Sequence, residues 1–355
     1  MKKKINTILI ILFAFLIVSC ANSGNNSSNY SSTIIVTDMI GEKLEIKKNP
    51  SKVACVSRTT YDLLIAFGLG DKIDGAYKSI YNNVWVETIY PKSVNEYQYN
   101  YEEGYETFIS RNVDLVFAPE KYIADGLKDH GIKALNVSLY GNPTFDEYVY
   151  FFADLVTQIW DYDYVKTKAN VWKNRVKEAI DTVIADTKKE VKEKSLFYVR
   201  GDKNKGIGYT DQAKAFTEYA YRIMGFDFVG ARLDTNTPSS EEIVAENPDI
   251  FVIGGIYQNV LINTLETTEP YTKLNAVKNH EIYTIPVGLT MFEQLSAMTP
   301  IFFYDQANKL FPNSCSYDVK SMTKSTIKEY FGTELSDQQI EYMFEGKDSK
   351  GKYLA

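Results

Sequence analysis

From Val165 to about Lys194 the chain runs without a glycine or a proline, and on either side of it short apolar runs alternate with helical stretches. No other feature restricts the fold as much. Thirty helical residues would span about 45 Å at 1.5 Å each. Trp172, Val176, Ile180, Val183 and Ile184 place apolar side chains three and four apart, the helical period. The segment reads as a stiff connector between two bodies, and it predicts a cleft that bends little on closing. A helix from Phe145 to Ile159 is expected just before it, opened by the capping-box spacing Thr144-x-x-Glu147 and interrupted at 161–163.

Ahead of the connector, Thr33 to Val36 and Lys43 to Ile46 read as a hairpin around Gly41. Strands follow at Lys52 to Val56, Ile73 to Ala76, Val113 to Ala118 and Ala134 to Val137, with helices at Tyr61 to Phe67 and at about Tyr122 to Asp129. Beyond the connector, Leu196 to Val199, Ile250 to Ile253 and Ile282 to Ile285 are strands, and Ala213 to Met224 is a helix. Strands alternating with helices imply a parallel sheet covered on both faces. The fold class expected is therefore α/β, as two Rossmann-like lobes with mostly parallel sheets, a long rigid helix joining them and a ligand cleft between. The stretch that starts at Tyr105-Glu106 is echoed by Ser240-Glu241, each with a glutamate eight residues before an aspartate that leads into a strand. Ser239 and Glu242 add a capping box there. The expected organisation is a signal peptide at 1–19, a lipidated tether at 20–32, an N-terminal lobe at 33–141, linker helices at 142–194 and a C-terminal lobe at 195–355.

The first twenty residues carry the export reading. Lys2, Lys3 and Lys4 precede the apolar run Ile8 to Val18, which ends in Ser19-Cys20. Eleven apolar residues fall short of the roughly 20 that cross a bilayer as a helix, so a cleaved signal is the better reading. Ser19-Cys20 resembles a lipobox, with Cys20 as the acylated residue, although Ile17 stands where leucine is commoner. Residues 21–32 are rich in serine and asparagine and suit a flexible tether. Cys55, inside the apolar run Val53 to Val56, reads as a buried free thiol, and with Cys315 it makes no disulfide framework.

Composition removes several functions. The chain has 46 acidic against 39 basic residues, a net charge of −7. Loss of residues 1–19 removes three lysines and no acid, which takes it to −10. A general nucleic-acid binder needs a basic surface instead. His130 and His280 are the only histidines, so an imidazole cluster is excluded. No nucleophile elbow, phosphate loop, zinc-protease motif or C-x-x-C occurs. Gly206-Ile207-Gly208 reads as a turn.

The remaining candidates lie at the carboxyl ends of strands, where open α/β sheets bind ligands. Arg58 and Thr59 follow the first lobe strand at a helix start suited to anions. Tyr77 and Glu120 follow the next ones; Tyr198 and Arg200 end a strand of the second half; Phe292 and Glu293 follow the Pro286-x-Gly288 turn. Two arginines and several rings from separate halves suit one anionic, partly aromatic ligand. Seven tyrosines and Trp85 between Tyr77 and Tyr105 are either binding rings or loop packing.

The order and spacing of VTDMIGEKLEIKKNPSKVACV, AFGLGDKIDGAY, FYVRGD, SEEIVAENPDIFVI, AVKNHEIYTIPVG and SDQQIEYMFEG resemble the substrate-binding lipoproteins of ABC importers. The type is the helix-hinged one that carries ferric siderophores, haem or cobalamin. The resemblance implies a binding protein and no enzyme, without a cofactor of its own. It implies a monomer held to the membrane by its N-terminal lipid, with a metal chelate as cargo and a permease with its ATPase as partners. It assigns Glu106 and Glu241 to permease docking, and makes Tyr198 and Arg200 ligand contacts through the strand-end Y-x-R. Family members often carry a tryptophan and a proline–glutamate pair after the P-x-G turn, where this chain has Met291-Phe292 and Ala297 to Pro300. The cargo expected is a ferric siderophore, with cobalamin, haem or a nickel chelate as alternatives; the other class left open is a two-lobe hydrolase or chelatase.

Overall fold

Two separate parallel sheets carry the architecture. The computed structural model describes residues 32–100, 104–138, 145–188, 190 and 194–354, with 145–148 as backbone alone. An antiparallel hairpin comes first, β1 (Thr33–Thr37) with β2 (Lys43–Lys47), and its alternation buries Val36 and Ile46. Five strands then make the first sheet: β3 (Val53–Cys55), β4 (Ile73–Tyr77), β5 (Tyr97–Tyr99), β6 (Leu115–Ala118) and β7 (Ala134–Asn136). Their order is β5-β4-β3-β6-β7, all parallel. The second sheet, order β11-β10-β8-β9, contains β8 (Ser195–Val199), β9 (Asp227–Phe228), β10 (Ile250–Ile253) and β11 (Ile282–Thr284). Every residue of β3, β6, β7 and β10 is buried. That follows from their unbroken apolar runs, since a parallel strand is covered on both faces.

Each sheet changes direction once. The chain moves outward from β3 through β4 to β5, then returns to the other side of β3 with β6; likewise β8 leads to β9 before β10 falls on the opposite flank. Such a reversal leaves a crevice beyond the strand ends, where neither connection covers the sheet. The echoed segments occupy equivalent places: helix Glu106–Ser110 precedes β6, and helix Ser240–Glu246 precedes β10. The second is closed by the expected capping box, with both reciprocal bonds of Ser239 and Glu242 formed.

Several expectations change. The connector helix is Asp163–Thr187, 25 residues, and so about 37 Å long. Its apolar stripe stops at buried Thr187, and the residues 188–194 that follow are lysine and glutamate apart from Val191. The helix expected at Ala213 to Met224 begins later, at Phe216–Ile223. β5 and β9 are strands of three and two residues that no alternation announces. Three C-terminal helices, Thr299–Leu310, Val319–Phe331 and Asp337–Phe344, complete the second half. Helix Phe145–Ile159 is as expected, while Thr144 and the Glu147 side chain lie outside the described residues.

The connector is more than a rod. Trp172 sits edge-on to Phe67 at 5.9 Å and donates its indole N–H to the Ser296 carbonyl at 3.0 Å, so one side chain ties both halves to the helix. A single apolar core runs from the hairpin through Trp160 and Trp172 to Phe302 and Met343. Asn83 donates to the carbonyls of Gly288 and Leu289, and Trp85 to that of Lys347. Residues 32–355 accordingly form one compact unit, in which the halves share an apolar floor.

Candidate ligand-binding cleft

The crevices of the two sheets open into one cavity of about 680 Å³. From the first sheet its wall takes Val56 to Thr59 after β3, Tyr77 at the end of β4 and Pro119 after β6. From the second it takes Arg200 to Asp202 after β8 and Gly255 to Tyr257 after β10. The turn Met291 to Leu295 closes one end, apart from Phe292. The volume lies within the usual range for a small-molecule site, roughly 300–1,000 Å³.

Six of the eight candidate ligand residues are on this wall: Arg58, Thr59, Tyr77, Tyr198, Arg200 and Glu293. Two are not. Phe292 is fully buried and packs edge-on to Phe344 at 6.2 Å, inside the apolar core and not on the wall. Glu120 is the half-buried N-cap of helix Lys121–Asp129 and stands aside from the cavity.

The two arginines differ. The Arg200 Nε lies 3.2 Å from Asp211 Oδ1, its guanidinium stacks over Tyr209 at 4.9 Å, and its charge is balanced inside the protein. Arg58 donates to the Ser79 carbonyl at 2.7 Å and, among the described residues, forms no ion pair. Burial pulls its pKa down, the mark of a cation short of counter-charge. It opens helix Arg58–Ala66, whose Ser57 N-cap makes no side-chain cap bond, so the charge and the positive helix end reinforce each other.

Glu293 is 6% exposed. Its Oε1 accepts the Gly255 N–H at 2.7 Å, while Oε2 is buried without a hydrogen-bond partner among the described residues. Burial, helped by Asp211, pushes its pKa up to about 7 against the Gly255 N–H, its own backbone N–H and, least, Arg200. Tyr198 is buried beside it, and burial raises its phenol likewise. Gly254 permits this seat, since a Cβ there would lie 2.5 Å from Glu293 Oε1 and 2.7 Å from the Tyr198 hydroxyl.

Asn83, Tyr209, Asp211, Phe216 and Tyr257 are also on the wall and were not singled out in the sequence. Gly254-Gly255 after the Ile250–Ile253 run was the available signal of a close backbone approach. A second, smaller cavity of about 280 Å³ adjoins the first through Val56 and Tyr77 and holds Tyr99, Tyr105, Phe108 and Tyr122. Tyr81 is structural and donates, with Tyr61, to Glu96, while Tyr101 lies outside the described residues.

Glu106 and Glu241 are exposed in the first turns of their helices. Cys55 and Cys315 are buried and free. His130 is exposed and stacks on Tyr105 at 4.0 Å. Among the described residues no group of three or more His, Cys, Asp or Glu is placed to hold a metal ion, and no helix is long and apolar enough to cross a membrane. Cys20 and its flanks lie outside the described residues.

No family model matches the chain. It is 24% identical over 296 residues to YvrC of Bacillus subtilis, an uncharacterized ABC transporter substrate-binding lipoprotein, spanning 79% of this chain and 88% of that one. Among solved structures, a periplasmic solute-binding protein of Veillonella parvula superposes with a TM-score of 0.68 at 19% identity, covering 90% of this chain and 99% of that one. The molybdate-binding protein MolA of Haemophilus influenzae gives 0.70 at 15%, over 85% and 99%. Helicobacter pylori CeuE in complex with Ni-His gives 0.67 at 20%, over 87% and 98%. These likenesses establish the fold.

Proposed function

We propose that this chain, a substrate-binding protein of an ABC importer by its relative and its fold, captures a metal chelate in the cleft and hands it to a membrane permease. The cargo is an iron complex of the siderophore type. One observation carries the reading: the switch points of both sheets meet at a single cavity whose N-terminal wall presents Arg58 without a carboxylate partner among the described residues. An oxygen-rich complex would supply the missing counter-charge, and Tyr77, Tyr209, Tyr257 and Phe216 offer flat apolar area for its organic shell. Among the described residues the wall has no histidine, and its carboxylates Asp202, Asp211 and Glu293 form no metal-holding group, where a bare zinc or manganese ion would require imidazole and carboxylate clusters.

The docking reading keeps Glu106 and Glu241 as one carboxylate on each half, presented to cationic groups of the permease. Acylation of Cys20 would hold the protein outside the cytoplasm on a tether that leaves the cleft free to meet the permease. Titration of intrinsic tryptophan fluorescence with ferric hydroxamate, ferric citrate, haem, cobalamin and nickel–histidine complexes tests the cargo. Saturable 1:1 quenching by a ferric chelate at micromolar or lower concentration, about −8 kcal/mol or better, is expected. Exclusive response to haem, cobalamin or nickel changes the cargo; turnover of a bound chelate would make the protein an enzyme.

A further inference from the structure

The cavity is electrically lopsided. Among the described residues Arg58 is the one charged residue on its N-terminal wall, whereas the C-terminal wall sets Asp202, Asp211 and Glu293 against Arg200. Asp202 is turned into its own loop, where it accepts the N–H groups of Asn204 and Lys205, and Asp211 is taken up by Arg200 and the Thr217 hydroxyl. Glu293 is left. Its carboxyl is clamped through Oε1 on the Gly255 N–H and seated against bare Gly254; the residue lines the cavity, and its Oε2 is buried and, among the described residues, unpartnered. A buried oxygen with nothing to accept costs free energy until something supplies a proton.

We propose that Glu293 determines specificity by accepting a hydrogen bond from an amine on the cargo, which therefore enters with its oxygen-rich end toward Arg58 and its donor end toward Glu293. This rests on the chelate reading above and narrows it to chelates that carry a free ammonium beside the metal centre. An all-carboxylate complex would instead bring a third anion up to Asp211 and Glu293. The charged and titratable neighbours of the carboxyl are Tyr198, Arg200, Asp211 and Tyr221. Because its proton leaves near neutrality, the ammonium contact strengthens as pH rises from about 6 to 8.

The test uses the iron(III) complex of desferrioxamine B, which has a free ammonium, and its N-acetylated form, which has the same hydroxamate core without it. Wild-type protein is expected to bind the first about tenfold or more tighter at pH 8, the worth of one charge-assisted hydrogen bond, with the preference shrinking toward pH 6. Glu293→Gln should bring the two probes to within about threefold of each other by weakening the ammonium form alone. Gly254→Ala, which displaces the carboxyl, should do the same if the first variant folds poorly. Equal affinities in wild type, a ratio that survives Glu293→Gln, or tighter binding of ferric citrate would overturn the inference and leave the chelate reading intact. Failure of every chelate to bind removes that reading and this one with it.

Discussion

Arg58→Ala separates a cargo contact from a structural residue. The guanidinium has one hydrogen bond, to the Ser79 carbonyl at 2.7 Å, and no ion pair among the described residues. Its removal therefore leaves no buried carboxylate behind, and the Ser79 carbonyl sits on the cavity wall where water can replace the donor. Burial disfavours its charged form, so folding gains from its loss. Binding suffers instead: a hydrogen bond to a charged group is worth about 1.5–3 kcal/mol, roughly ten- to a hundredfold in Kd. Fluorescence titration with the bound ferric chelate and thermal unfolding of the free protein read the two effects separately. Affinity should fall by that factor while Tm stays level or rises. Unchanged affinity with a lower Tm would make Arg58 a structural residue and refute the argument. Arg200→Ala is the control: it strands Asp211, 3.2 Å away, and should cost stability as well as affinity.

Asp62, buried in helix Arg58–Ala66, accepts the Ala297 N–H at 2.7 Å, and burial pushes its pKa up to about 7. Its folded form holds a proton that the unfolded chain releases near pH 4, so its share of stability is lost as pH climbs from about 4 to 7. Asp62→Asn should raise stability at pH 8 by a few kcal/mol and have little effect at pH 4; denaturant unfolding at both pH values checks this, and equal effects at the two would contradict it. Glu106→Lys with Glu241→Lys should stop uptake while chelate binding stays normal; uptake at the normal rate would place docking elsewhere. Cys20→Ala should abolish acyl labelling, and persistent labelling would refute the lipid anchor.

The sequence disclosed most of the fold because parallel strands buried on both faces write themselves as apolar runs. β3, β6, β8 and β10 were found within one or two residues for that reason. The edge strands were not: Tyr97-Gln98-Tyr99 and Asp227-Phe228 are too short to display a period and are set by pairing with β4 and β8. The cleft was legible through strand ends, which brought six of eight candidates to one wall. Sequence position does not encode side-chain direction, so Phe292 and Glu293 looked alike although one is core and the other faces the cavity. It also hides ion pairs formed across loops. Arg200 is a ligand contact by its Y-x-R setting, yet Asp211, eleven residues on, already neutralises it, and Arg58 is left as the cation that needs a guest.

Hydrogen exchange with and without a saturating ferric chelate addresses the central claim most directly. Slowed exchange at 56–60 and, in the same sample, at 199–202 and 255–258 is the predicted result, with the Asp163–Thr187 helix unchanged. Protection confined to one of the two sheets, or spread along that helix, would contradict it.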